Sequence, residues 1–151
     1  MDSSRLEPFK ALMARPGRPD YENVLESLLE EIFAERGCMW LEKENEFLYR
    51  GDDDLRKRFP FSRQAVDSVL EKGRSFIAYD DGGNEPTPPS GSMVMNNVRS
   101  CVCAAAKNAQ GEVLILAYFD NGVESDPFSM EDLELVQGVL DLVPGAVPSS
   151  D

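Results

Sequence analysis

The chain has 151 residues, 42% of them hydrophobic and 28% charged, which fits one domain large enough to bury a core. Its net charge is −13, and nine acidic residues but no basic one follow Lys107. A surface of that sign repels phosphate backbones and anionic head groups, which argues against nucleic-acid and membrane partners. No apolar run approaches the roughly 20 residues of a membrane span, and no signal-like stretch opens the sequence, so the expected location is cytoplasmic. Histidine is absent. That removes imidazole bases, Ser-His and Cys-His nucleophile pairs, and histidine-ligated haem. Cys38, Cys101 and Cys103 are odd in number and form no CxxC pair, which argues against a disulfide framework and against zinc.

Residues 1–19 form a lead-in. Helical turns are expected from Arg5 to Met13, with Leu6, Phe9 or Lys10, and Met13 along one side, before Pro16, Gly17 and Pro19 stop them. Asp20 is an N-cap for the next segment. There Tyr21, Val24, Leu25, Leu28, Ile32 and Phe33 fall at helical spacing, with glutamates opposite and Gly37 as the expected C-cap.

Cys38–Glu42 and Glu46–Arg50 are expected strands around Lys43-Glu44-Asn45. Asp52-Asp53-Asp54 lies in a charged loop without calcium-loop spacing and reads as solvated. Ser62 caps an expected helix at about 63–72, closed by Gly73, and Ser75–Asp80 alternates as a third strand. A proline- and glycine-rich segment at 81–92 reads as a mobile loop or a ligand-facing lid, followed by a short helix at 93–98. Residues 100–106 and 112–119 form a hairpin through Asn108–Gly111. Ser129 and Asp132 resemble a capping box opening the last helix, and 144–151 is expected to be a disordered tail.

This order of hairpins and helices predicts an α+β fold with a mostly antiparallel sheet. Local phrases carry a closer resemblance. They are Ala34-Glu35-Arg36-Gly37-Cys38-Met39-Trp40-Leu41, Phe61-Ser62-Arg63 through Gly73, Val98 through Asp120-Asn121, and Phe128-Ser129 to Asp132-Leu133-Glu134. Over about residues 20–143 the chain resembles GAF domains, closest to those of bacterial signalling and transcription regulators. The resemblance implies a PAS-like central sheet of five to six strands flanked by helices. It also implies a non-catalytic sensor or regulatory domain that binds a small molecule, a protein partner or both, with homodimerisation an open expectation. Two rival readings stand beside it: a degenerate domain that serves only as a protein-docking surface, and a thiol enzyme like the GAF-fold free methionine-(R)-sulfoxide reductases.

Departures from the family pattern bear on the ligand. Asn121, Phe128 and Asp132 match the motif of nucleotide-binding members, but Gly122 replaces its lysine and Leu133 its glutamate. Little positive charge remains for a phosphate, so a cyclic nucleotide is not expected. Bilin-binding members pair a cysteine with a nearby histidine, which this chain lacks, so neither bilin nor haem is expected and no cofactor is assigned. Ile115 stands where glycine is customary, implying a repacked or partly filled cavity.

Trp40, Tyr79, Asp80, Arg99, Cys101 and Tyr118 are the candidate ligand-lining residues, with Arg99 read as the only cation near the sheet. The plainer reading is that strand aromatics pack the core and Arg99 pairs with Asp80. Cys101 and Cys103, two apart on one strand, face one side, either as a thiol pair or as small core residues. Asp120, before Asn121, reads as part of a turn. No residue is assigned a catalytic or metal-binding role.

Overall fold

Asp20 is the first fixed point of the fold. Its carboxylate accepts a hydrogen bond from the Asn23 amide at 3.3 Å, and α2 runs from there over Tyr21–Glu31 with Tyr21, Val24, Leu25 and Leu28 buried. The computed structural model describes residues 3–50, 76–79, 98–122 and 128–147. The expected loop with Asp52–Asp54, the helix at 63–72, the segment 81–92 and nearly all of the short helix at 93–98 lie outside the described residues.

The end of α2 departs from its hydrophobic spacing. The helix stops at Glu31, with Ile32 as C-cap, and Phe33 adopts a left-handed backbone with φ of 54°. The Phe33 amide then reaches the Glu30 carbonyl at 3.4 Å and the Ala34 amide reaches the Leu29 carbonyl at 2.9 Å. These are the paired bonds of a Schellman motif, with phenylalanine where glycine is usual. Phe33 leaves the apolar stripe and is 84% exposed. Gly37 is therefore not the cap. It lies in a strand, where an added Cβ would sit 2.6 Å from Phe119 Cδ1, so the glycine is explained by a ring packed on the backbone.

Upstream, a 3-10 turn at Ser3–Leu6 leads into α1, Glu7–Met13, and both Phe9 and Met13 are buried in the same core as α2. The described strands are β1 (Arg36–Leu41), β2 (Glu46–Arg50), β3 (Phe76–Tyr79), β4 (Val98–Lys107) and β5 (Val113–Gly122). They lie in the order β2-β1-β5-β4-β3, every neighbouring pair antiparallel. The β4–β5 turn forms where expected. The Asn108 carboxamide oxygen accepts from the Gln110 and Glu112 amides at 3.0 and 2.9 Å, and Gly111 takes a φ of 80°.

The last helix, α3 (Met130–Leu140), opens with the expected capping box. Asp132 N–H donates to Ser129 Oγ at 3.2 Å and Ser129 N–H donates to Asp132 Oδ2 at 2.9 Å. The three described helices bury their apolar sides against one face of the sheet, around Met39, Val102, Ala104, Ala117 and Phe119. Beyond α3, the Val147 amide donates to the Lys107 carbonyl at 2.8 Å and Ala146 packs on the core. Residues 144–147, expected to be disordered, are thus fastened to the end of the hairpin. No described helix is long and apolar enough to cross a membrane.

Candidate functional site

Side chains alternate across a strand, so the residues that do not face the helices build a second cluster on the other side of the sheet. The register arranges it in three rungs. Phe47, Trp40, Leu116 and Ala105 stand opposite one another across β2, β1, β5 and β4. Tyr49, Cys38, Tyr118 and Cys103 form the next rung, and Arg36, Asp120 and Cys101 the third.

The third rung carries the polar chemistry. Asp120 is fully buried, and Arg36 Nε donates to its Oδ1 at 2.6 Å. The other oxygen, Oδ2, is buried with no hydrogen-bond partner. Tyr118, two residues earlier on the same strand face, sits close enough to favour the ionised carboxylate without a well-aligned bond to Oδ2. Burial pushes the Asp120 carboxyl above its ordinary value, and the hydrogen bond and charge of Arg36 oppose that rise. For Arg36, burial pulls the guanidinium down, but Asp120 outweighs it and the net shift is upward.

The neighbours are neutral. Burial, and then the charge of Asp120, push the Tyr118 hydroxyl well up, and burial pushes the Cys38 and Cys103 thiols well up. A thiol nucleophile needs exposure and a lowered pKa. All three cysteines are fully buried, so the geometry gives the thiol-enzyme reading no support. No group of three or more metal-ligating side chains occurs among the described residues.

Of the residues predicted to line a site, Trp40, Cys101 and Tyr118 come together on this face. Tyr79 and Arg99 take positions in β3 and β4, with Tyr79 opposite Ser100, and Asp80 lies outside the described residues. The three motif positions serve the frame. Asn121 Oδ1 accepts from the Glu35 amide at 2.6 Å while its Nδ2 donates to the Phe33 carbonyl at 3.1 Å, pinning the α2–β1 connection. Phe128 is a core residue whose amide donates to the buried Ser100 hydroxyl at 3.1 Å. Asp132 completes the helix cap. Ile115 packs into the helix-side core and so takes no room on this face.

Two residues were missed by sequence reasoning. Asp120 is a strand residue in β5, not half of a turn, and Arg36 provides a cation on the sheet that had been looked for only at Arg99. The available signal was a carboxylate closing the apolar run Leu114–Phe119 and an arginine opening another apolar strand, a combination that antiparallel pairing can bring together.

The chain is similar in fold to a GAF domain region from a Geobacter sulfurreducens PCA protein, at 12% identity and a TM-score of 0.60 over 94% of this chain and 95% of that one. A GAF domain/HD domain protein from Geobacter sulfurreducens matches at 11% identity and 0.57 over 81% and 85%. A third structure, in its far-red-absorbing dark state with bound biliverdin IXa, matches at 13% identity and 0.56 over 91% and 93%. No curated protein sequence matches the chain. The GAF domain profile matches residues 21–147; with sheet order, capping box and motif residues in place, the chain belongs to the GAF domain family.

Proposed function

We propose that this chain is a non-catalytic sensory module of a cytoplasmic signalling or transcription-regulating protein, and that it binds a small molecule against the sheet face around Trp40, Cys101, Tyr118 and Asp120. The observation that carries this reading is the fully buried Asp120 carboxylate with one oxygen unpartnered. A buried acceptor without a donor is costly, and a ligand donor would remove that cost. Tyr79, Asp80 and Arg99 are assigned to the same site from their sequence positions.

The route outward is short. Asp120 faces the ligand side, and the next residue, Asn121, holds the Phe33–Glu35 connection at the end of α2. A ligand that shifts β5 at Asp120 thereby biases how α2 is held, a population shift that a protein partner or a second copy reads. Tetrapyrrole attachment calls for a reactive thiol, and the buried, protonated Cys38 and Cys103 favour a noncovalent ligand.

A second reading rests on the run of nine acidic residues without a basic one after Lys107: a ligand-free domain that docks a basic protein partner. Native mass spectrometry of the purified protein tests both. A dimer or an added small-molecule mass supports the sensor. A bare monomer that gains no mass from cell extract metabolites favours docking.

A further inference from the structure

Resting on the sensor reading, we infer that the ligand is an uncharged, flat molecule bearing an N–H or O–H donor, and that Asp120 Oδ2 is the acceptor that selects it. The charges on the third rung decide the class. Arg36 is engaged through Nε at 2.6 Å with Oδ1 of Asp120. An anion entering beside Oδ2 meets a carboxylate, and Nε of the neighbouring guanidinium is already bound to Oδ1. A cation beside Oδ2 gains only the carboxylate charge that Arg36 leaves unneutralised, and it loses its own hydration in a buried place. A neutral donor meets neither obstacle and completes the hydrogen bonding of Oδ2.

Shape follows from the other two rungs. Trp40, Phe47 and Tyr49 edge the cluster while Leu116 and the buried Tyr118 fill its centre. Broad ring faces stack best on flat partners. Cys38 and Cys103, held as neutral thiols, add polarisable walls but no charge. Among the buried side chains described on this face, the strongest acceptor without a partner is therefore one carboxylate oxygen, and a bond to an ionised acceptor discriminates more than a neutral one.

Three fragments of similar size separate the outcomes: indole, benzofuran and benzoate. Benzofuran keeps the outline of indole but replaces the N–H by a ring oxygen, and benzoate brings negative charge. Each is titrated into the full chain while the backbone amide signals of Cys38, Cys101, Cys103 and Tyr118 are followed by two-dimensional NMR. The expected result is saturable binding of indole, about tenfold weaker binding of benzofuran, and benzoate weaker than indole. In Asp120→Asn the preference of indole over benzofuran shrinks towards unity. If that variant does not fold, the fragment pair on the unaltered chain carries the test. Equal binding of indole and benzofuran, or tighter binding of benzoate, overturns the role of Asp120 while leaving a ligand on this face. No perturbation of these amides by any fragment overturns the inference and the sensor reading together.

Discussion

The two faces of one sheet have been given different work. The same strands β1, β4 and β5 supply Met39, Val102, Ala104, Ala117 and Phe119 to the helix side and Cys38, Cys101, Cys103, Tyr118 and Asp120 to the other. Among the described residues, the buried core on the helix side contains no charged side chain and is covered by α1, α2 and α3. On the other side lie phenol rings, thiols and an ion pair with one oxygen unpartnered. Apolar burial carries the stability of such a fold. A side that spends its middle rung on hydroxyls and thiols and its end rung on a buried charge gives up part of that stabilisation. A ligand is therefore expected on the face that is worse for folding.

The largest effect should come from the helix side. Phe9 is fully buried although it belongs to the lead-in before Pro16. Phe9→Ala should lower unfolding free energy by about 4 kcal/mol, the usual range for emptying a buried phenylalanine site. Equilibrium urea unfolding reads this directly. A loss under about 1 kcal/mol would mean that α1 rests on the core without being part of it, and the contrast between faces would weaken.

The next effect tests the other face. Arg36→Met removes the partner of a buried carboxylate and should destabilise by about 3 kcal/mol at neutral pH. The sign with pH is fixed by the direction of the shift. Burial raises the Asp120 carboxyl above its unfolded value, so the folded state holds that proton more tightly. Its favourable contribution is full below the unfolded value and is lost as pH rises through the folded one. Without Arg36 the folded value climbs further, and the deficit of the variant against the unaltered chain should grow from pH 4 to pH 7. A deficit that stays constant across this range would show that Arg36 acts by packing and not by charge.

Much of this frame was legible. Asp20, the Asn108–Gly111 turn and the Ser129–Asp132 box each act through bonds within five residues, and such local chemistry is written in local sequence. Cys101 and Cys103 shared a side because strand period is two. What escaped depends on distance or on strain. The Arg36–Asp120 pair joins residues 84 apart, and an Asp-Asn dipeptide considered alone suggests a turn. Phe33 continued the helical spacing of Tyr21 to Ile32, and nothing in that spacing marks a backbone about to turn left-handed.

Phe33 also supplies the smallest effect and the cleanest separation of frame from face. A non-glycine residue in the left-handed region costs about 1–2 kcal/mol, and the exposed Phe33 ring recovers little by burial. Phe33→Gly lifts that strain but loosens the unfolded chain, an opposing loss of somewhat under 1 kcal/mol. The net expectation is a gain of about 0.5 kcal/mol, seen as a higher urea midpoint at unchanged slope. The Phe33 carbonyl still accepts from Asn121 in this variant, because the bond is to backbone. Fragment binding at Asp120 should then be unaltered while stability rises. If binding changes as well, the end of α2 and the face around Asp120 are coupled through Asn121, and the strained phenylalanine belongs to the sensing route and not merely to the frame.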